Sequence, residues 1–236
     1  MIILAFDGTA KCASCAVLRD NVCLGEYNID NGLTQSELLL PMAESLMKSL
    51  KLSFSDIDLY STSVGPGSFT GVRIGAALVK GLAFGRDIPC AEVSTLEALA
   101  ENARGLRGII VPAMDARRNQ VYTAIFRCDG ENLVRLTEDI AIAISDLGDM
   151  LKEYDGERIY ITGDGYEVAR RNLTAMRINI EVTPIGMRNE SAASVARVAL
   201  RKYNEGKTVS DKELAPTYLR LPQAERERLE RNKANG

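Results

Sequence analysis

The sequence predicts an α/β protein built from two halves of one plan, each three strands followed by helix, strand, helix, strand and helix. Three observations carry this. Short apolar or alternating runs, rich in Val and Ile, are interleaved with longer runs of helical periodicity. The order of elements restarts at Ile109. Polar residues also fall in register between the halves. The first strand of each ends in an aspartate, Asp7 or Asp115, and the fourth ends in a glycine pair, Gly65-Pro66-Gly67 or Gly163-Asp164-Gly165.

In the first half, Met1-Ile2-Ile3-Leu4-Ala5-Phe6 meets Asp7 with no basic leader and no long apolar region. It reads as a strand over 2–6, not a signal peptide. Strands follow at 13–18 and 22–28. Leu39, Met42, Leu46 and Leu50 recur at helical spacing and give a helix over 35–50. Thr34-Gln35-Ser36-Glu37 opens it as a capping box, and Pro41 removes one backbone bond and is expected to bend it. A strand at 57–63 leads to a helix at 69–85, capped by Ser68. A short strand at 90–93 and a helix at 94–104 close the half, the latter opened by a second capping box, Ser94-Thr95-Leu96-Glu97.

The second half predicts strands at 109–114, 120–128 and 132–138, a helix at 145–153 and a strand at 158–163. A helix at 166–174, a strand at 179–183 and a long helix at 190–204 follow. The link Arg104-Gly105-Leu106-Arg107-Gly108 reads as a hinge. The predicted domains are therefore 1–104 and 105–222, with the 190–204 helix available to pack back on the first. The tail, 223–236, alternates acidic with basic residues and reads as a solvated helix or frayed end.

Composition narrows the chemistry. Hydrophobic residues are 46% of 236, enough for a real core and too many for general disorder. The absence of histidine excludes Ser–His and Cys–His pairs and the HExxH zinc site. Lys plus Arg number 29 against 32 acidic residues, which argues against a chain that holds nucleic acid alone. No apolar run reaches membrane-spanning length. Five cysteines lack a disulfide-framework spacing, which fits a reducing, cytoplasmic setting. Cys12 and Cys15 form a CxxC within an alternating stretch, where residues three apart point to opposite faces, so they read as packing thiols.

The carboxyl ends of strands in an open α/β sheet are where ligands sit. This makes Asp7-Gly8-Thr9, Asp115 with Arg117, and the Gly163 and Gly165 turn a candidate nucleotide cleft. Against it, Ala116-Arg117-Arg118 stand where a second phosphate loop needs glycine. The arginines contact an anion, or they fill the cleft and pair with Asp7 or Asp164. ATP binding, if any, is expected to be weak or vestigial, with turn and packing roles as the alternative. Gly67-Ser68-Phe69-Thr70-Gly71 is not a GxSxG elbow.

The duplicated βββαβαβα (ribonuclease-H-like) plan resembles the actin-like, sugar-kinase and Hsp70 superfamily. Three segments narrow the resemblance: Phe6-Asp7-Gly8-Thr9, the run from Ser63 to Gly75 (SVGPGSFTGVRIG), and Met114-Asp115-Ala116-Arg117-Arg118-Asn119-Gln120-Val121-Tyr122. With Val93–Ala100 (VSTLEALA) and Pro216-Thr217-Tyr218-Leu219-Arg220, they resemble the TsaB (YeaZ) family. The family is the dimerisation subunit for bacterial tRNA threonylcarbamoyladenosine synthesis. The resemblance implies a non-catalytic subunit with no metal or cofactor of its own. It would partner a TsaD-like transferase, with a TsaE-like ATPase and tRNA in the full complex, and pair with itself when alone. A free-standing actin-like ATPase or phosphotransferase is the alternative. Metallopeptidase chemistry is disfavoured, and Gln35-Ser36-Glu37 stands where family members often carry His-Ser-Glu.

The 69–85 helix is apolar nearly all round, with only Arg73 and Lys80 charged, and so must be covered on more than one side. The resemblance implies that partner contacts come from Leu39, Met42 and Leu46 of the first helix. From the second it implies Gly71, Val72, Gly75, Leu78, Val79 and Leu82. Full burial within the monomer is the alternative. On the interface reading, Gly75→Arg blocks assembly and spares the fold.

Overall fold

The computed structural model describes residues 1–220. The predicted tail from 223 lies outside the described residues. The first half contains β1 (Ile2–Asp7), β2 (Ala13–Arg19), β3 (Val22–Ile29), α1 (Gln35–Leu50), β4 (Leu59–Gly65), α2 (Phe69–Ala83), β5 (Cys90–Ser94) and α3 (Thr95–Asn102). Its sheet runs β3-β2-β1-β4-β5, with β1, β4 and β5 parallel and the first hairpins antiparallel. The helix starts follow local chemistry. The Glu37 carboxylate accepts the Thr34 N–H at 2.8 Å, and α1 continues unbroken through Pro41.

The second half contains β6 (Arg107–Asp115), β7 (Gln120–Thr123), β8 (Phe126–Asp129), β9 (Leu133–Arg135) and β10 (Ile140–Ala143). Then come α4 (Ile144–Leu151), β11 (Ile159–Thr162), α5 (Tyr166–Ala175), β12 (Ile180–Glu181) and α6 (Ala192–Asn204). The strand predicted over 120–128 is one strand interrupted in the middle. Both β7 and β8 pair antiparallel with β6, while β10 pairs β7 and β9 pairs β8. At the break, the Ile125 N–H is taken by the Thr137 hydroxyl at 2.8 Å, and Leu136 N–H returns to the Ile125 carbonyl at 2.8 Å. A side chain twelve residues away thus replaces a ladder bond, a local interruption of the bulge type. Allowing for it, the strand order repeats that of the first half. The fold is the duplicated actin-like α/β plan.

Layers follow from which faces are apolar. α1 and α2 cover one face of the first sheet through Leu39, Met42, Leu46, Ala76 and Val79 against Leu4, Phe6 and Val17. Each such buried Leu or Met side chain contributes about 1.5–3 kcal/mol. The other face receives α6, whose Ala192, Val195, Ala196 and Ala199 sit on Ile3, Ala5, Leu18 and Val93. The N-terminus of α6 is fixed from the first half. Glu26 on β3 accepts the Ser191 hydroxyl at 2.7 Å and the Ala193 N–H at 3.1 Å, a carboxylate at the positive end of a helix. α3 packs on the second sheet through Leu96 and Leu99 against Ile110 and Phe126, while α4 and α5 cover its far face. The second capping box is only half made. Ser94 accepts the Glu97 N–H at 3.3 Å, but the Glu97 carboxylate turns to Arg201 of α6 at 2.8 Å.

Beyond α6 the chain follows the edge of the first sheet. Val209 and Cys90 exchange backbone bonds at 2.9 Å, and Thr217 N–H reaches the Val64 carbonyl at 2.7 Å. Tyr218 stacks on Phe69 with ring centroids 4.3 Å apart and accepts the Arg73 Nε–H at 2.8 Å. Arg220 ends over Tyr122 of the second half.

Candidate functional site: the cleft and the paired-helix face

Asp7 closes β1, and all its polar contacts are internal. One carboxylate oxygen accepts the Thr9 N–H at 2.9 Å and the Thr9 hydroxyl at 2.6 Å, and the other accepts the Ser63 hydroxyl at 2.5 Å. The residue is fully buried, and burial pushes its carboxyl above the usual range, partly offset by these donors. The Ser68 N–H donates to the Thr9 carbonyl at 2.7 Å, seating the Gly65-Pro66-Gly67 turn on the Asp7-Gly8-Thr9 loop. Gly8 itself lies against Leu39 and the Gly71 carbonyl. This loop is packed shut by the start of α2. Asp7, Gly8 and Thr9 therefore hold β1, β4 and α2 together and do not line the cleft.

In the second half, Gly163 and Gly165 both press on the Ala113 carbonyl. A methyl at Gly165 would lie 2.8 Å from that oxygen, and Gly163 also holds φ +97°. Their glycines serve close backbone packing, not ligand approach. Asp164 between them accepts the Asp115 N–H at 3.0 Å, and burial raises its carboxyl. The pairing of Arg117 with Asp7 or Asp164 is overturned. Its guanidinium is 85% exposed and lies 3.7 Å from Asp115, because Arg117, Arg118 and Asn119 form a left-handed run, φ 66°, 55° and 56°, that turns the side chain outward.

Between the halves lies a cavity of about 350 Å³ lined by Ala10, Lys11, Cys12, Asp30, Asp115, Arg117, Asp164, Asn189 and Glu190. Of the seven cleft residues predicted, only Asp115 and Arg117 reach it. Three aspartates and the Glu190 acid face two cations, a sign opposed to a phosphate chain. Glu190 has no distinguishing pattern in the sequence, since Asn189-Glu190-Ser191 reads as an ordinary helix start. Only the folded chain buries it, to 5% exposure, and brings it beside Asp7 and Asp164; its carboxyl is pushed up to about 8 by burial and by those two charges.

The interface residues need a larger correction. Gly71, Val72, Gly75 and Val79 face the protein's own sheet, as do Leu39, Met42 and Leu46. A methyl at Gly75 would come within 2.7 Å of Thr62 Oγ1 on β4, and one at Gly71 would enter the Gly8 carbonyl oxygen. The small residues let α2 lie close on β4 and the loop after β1, so its glycine side points inward. Leu78 and Leu82 remain partly exposed. The face left open runs roughly a quarter-turn away, through half-buried Ile74 and Leu78, exposed Ala77 and Gly81, and Phe84 at the helix end, 75% exposed. A methyl at Gly81 meets nothing within 4 Å.

Comparison with curated proteins decides the family. The tRNA threonylcarbamoyladenosine biosynthesis protein TsaB of Bacillus subtilis is 33% identical over 234 residues, covering 99% of this chain and all of that one. The chain belongs to the TsaB family. The Escherichia coli TsaB protein is 28% identical over 93% of this chain and 95% of its own. Residues 34–228 match the family model described as TsaD, tRNA N6-adenosine threonylcarbamoyltransferase. YeaZ from Pseudomonas aeruginosa superposes with a TM-score of 0.74 at 23% identity, covering 92% of this chain and 99% of that structure. A Pseudomonas aeruginosa protein described as similar to peptidase YeaZ gives 0.77 at 22% identity over 93% and 99%. These two likenesses bear on the fold alone. Among the described residues no helix is long and apolar enough to cross a membrane.

Proposed function

We propose that this chain is the non-catalytic partner subunit of a TsaD-like transferase and supports N6-threonylcarbamoylation of adenosine 37 in tRNA. Family membership makes it a protein of tRNA threonylcarbamoyladenosine biosynthesis; the subunit role is the finer reading. The observation that carries it is the open face of α2. Half-buried Ile74 and Leu78, exposed Ala77 and Gly81, and Phe84 at the C-cap form an apolar strip along α2. An apolar strip left open on a helix is the kind of surface that a protein partner covers. On this reading, the partners proposed are a TsaD-like subunit, a second copy of this chain when alone, a TsaE-like ATPase in the full complex, and tRNA through the complex.

Two features support the absence of chemistry in this subunit. A sequence without histidine cannot supply the imidazole metal site expected of the transferase. Asp7, a candidate cleft residue in the sequence, has its carboxylate occupied by Ser63 and Thr9. The test is reconstitution. Threonylcarbamoylation by the TsaD-like subunit should require this chain. It should stay within about tenfold, or about 1.4 kcal/mol of barrier, when Asp115→Ala or Ser68→Ala is used. A loss of about a thousandfold with assembly intact, or turnover of magnesium ATP by the isolated chain, contradicts the proposal.

A further inference from the structure

We propose that the acidic cavity between the halves is a binding site for a small organic cation carrying an ammonium or guanidinium group, gripped by Glu190. The carboxylates alone do not make the site. The deciding observation is Glu190 itself, which is nearly fully buried, lines the cavity and leaves Oε1 with no hydrogen-bond partner. A buried acceptor left unmade costs about 1–3 kcal/mol, and a ligand bearing N–H donors removes that cost.

The charges fix the sign of the ligand. Asp7 faces Glu190 from the end of β1, Lys11 and Cys12 from the β1–β2 loop, and Asp30 from beyond β3. Asp115 faces it from the end of β6, Arg117 from just beyond, and Asp164 from beyond β11. Arg117 is turned to solvent beside Asp115, so the interior field is negative. Geometry fixes the class. Among the described residues no three acidic or thiol groups converge closely enough to hold a metal ion. The charge is spread along a wall about 350 Å³ in volume, at the small end of the range for ligand pockets. An elongated cation with donors at its ends matches a spread of carboxylates; a point charge does not.

The proton on Glu190 gives the site a signature. Alone, burial and the neighbouring carboxylates keep the acid neutral up to about pH 8. A bound cation favours the carboxylate, so binding expels a proton and tightens as pH rises.

Agmatine, with an ammonium at one end and a guanidinium at the other, is the probe. Calorimetric titration of the wild-type chain at about pH 9 should give saturable binding that weakens at about pH 6.5. Glu190→Gln, isosteric and replacing an oxygen that makes no bond, should weaken it about tenfold or more, as should Asp30→Asn on the rim. Asp146→Asn, exposed on α4, should not. Asp30 is exposed, so that variant reads the site even if Glu190→Gln melts early. A second arm separates a free amine from a side chain supplied by a partner. The TsaD-like subunit is titrated against wild type and Glu190→Gln, and an equal loss there assigns the cation to the partner. Insensitivity of both arms to Glu190→Gln and Asp30→Asn, or agmatine binding weakened equally by Asp146→Asn, overturns the proposal.

Discussion

Replacing Gly75 with alanine should destabilise the protein, although Gly75 is in the interior of a helix where alanine is intrinsically better by about 1 kcal/mol. The new methyl would stand 2.7 Å from Thr62 Oγ1, against 3.4 Å for ordinary contact, a shortfall of about 0.7 Å in a fully buried seam. Overpacking of this kind costs about 1–3 kcal/mol, so the net loss is about 1 kcal/mol. Gly81→Ala, six residues on in the same helix, meets nothing within 4 Å and should gain the helix preference unopposed, about 1 kcal/mol. At about 2–4 °C per kcal/mol for a chain of this size, the two variants should melt about 4–8 °C apart. Thermal unfolding and urea titration measure the gap, with the shared helix cancelling propensity. Equal stabilisation by both would mean that α2 does not sit on β4 as described. Gly75→Arg has no room at all and should unfold the monomer, which reverses the expectation drawn from the sequence.

Tyr218→Ala removes the stack on Phe69 and the Arg73 bond. It should cost about 1–2 kcal/mol in urea unfolding, since an aromatic pair and the cation–π contact of Arg73 with the Tyr218 ring contribute about that beyond area; an unchanged midpoint would detach the C-terminal segment from α2. Glu190 gives a pH prediction. Its folded carboxyl is raised from 4.5 to about 8, so the stability it supplies is complete below about pH 4.5 and lost as pH rises to about 8. Asp7 and Asp164 shift the same way, so wild type should weaken across that window and Glu190→Gln should weaken visibly less. Parallel curves for the two proteins would remove Glu190 from its buried position.

The first half is the more legible in sequence because its boundaries are local. Thr34 and Glu37 mark the start of α1, and the Gly65-Pro66-Gly67 turn marks the end of β4. The second half resists where a distant group intervenes. Ile125 looks like the middle of a continuous strand, and only the hydroxyl of Thr137 breaks it. The orientation of α2 was illegible for a different reason. A helix apolar all round has no face that pattern can point inward, and close approach to β4 and Gly8 selects the glycine side. The cleft was half-legible. Asp115 and Arg117 end in the cavity, whereas Asp7, Gly163 and Gly165 are consumed by packing. Glu190 carries no sequence signal, because its neighbours come from the ends of four strands, β1, β3, β6 and β11.

The account rests on the open face of α2 as the docking surface, and Ala77→Arg tests it most directly. Ala77 is exposed and mid-strip, so the substitution should leave unfolding within about 0.5 kcal/mol of wild type, as surface changes do. Sedimentation with the TsaD-like subunit should then show two separate species where wild type gives one complex, since a charge would be driven into the apolar centre of the contact. A stable Ala77→Arg protein that still forms the complex with unchanged affinity would contradict the account.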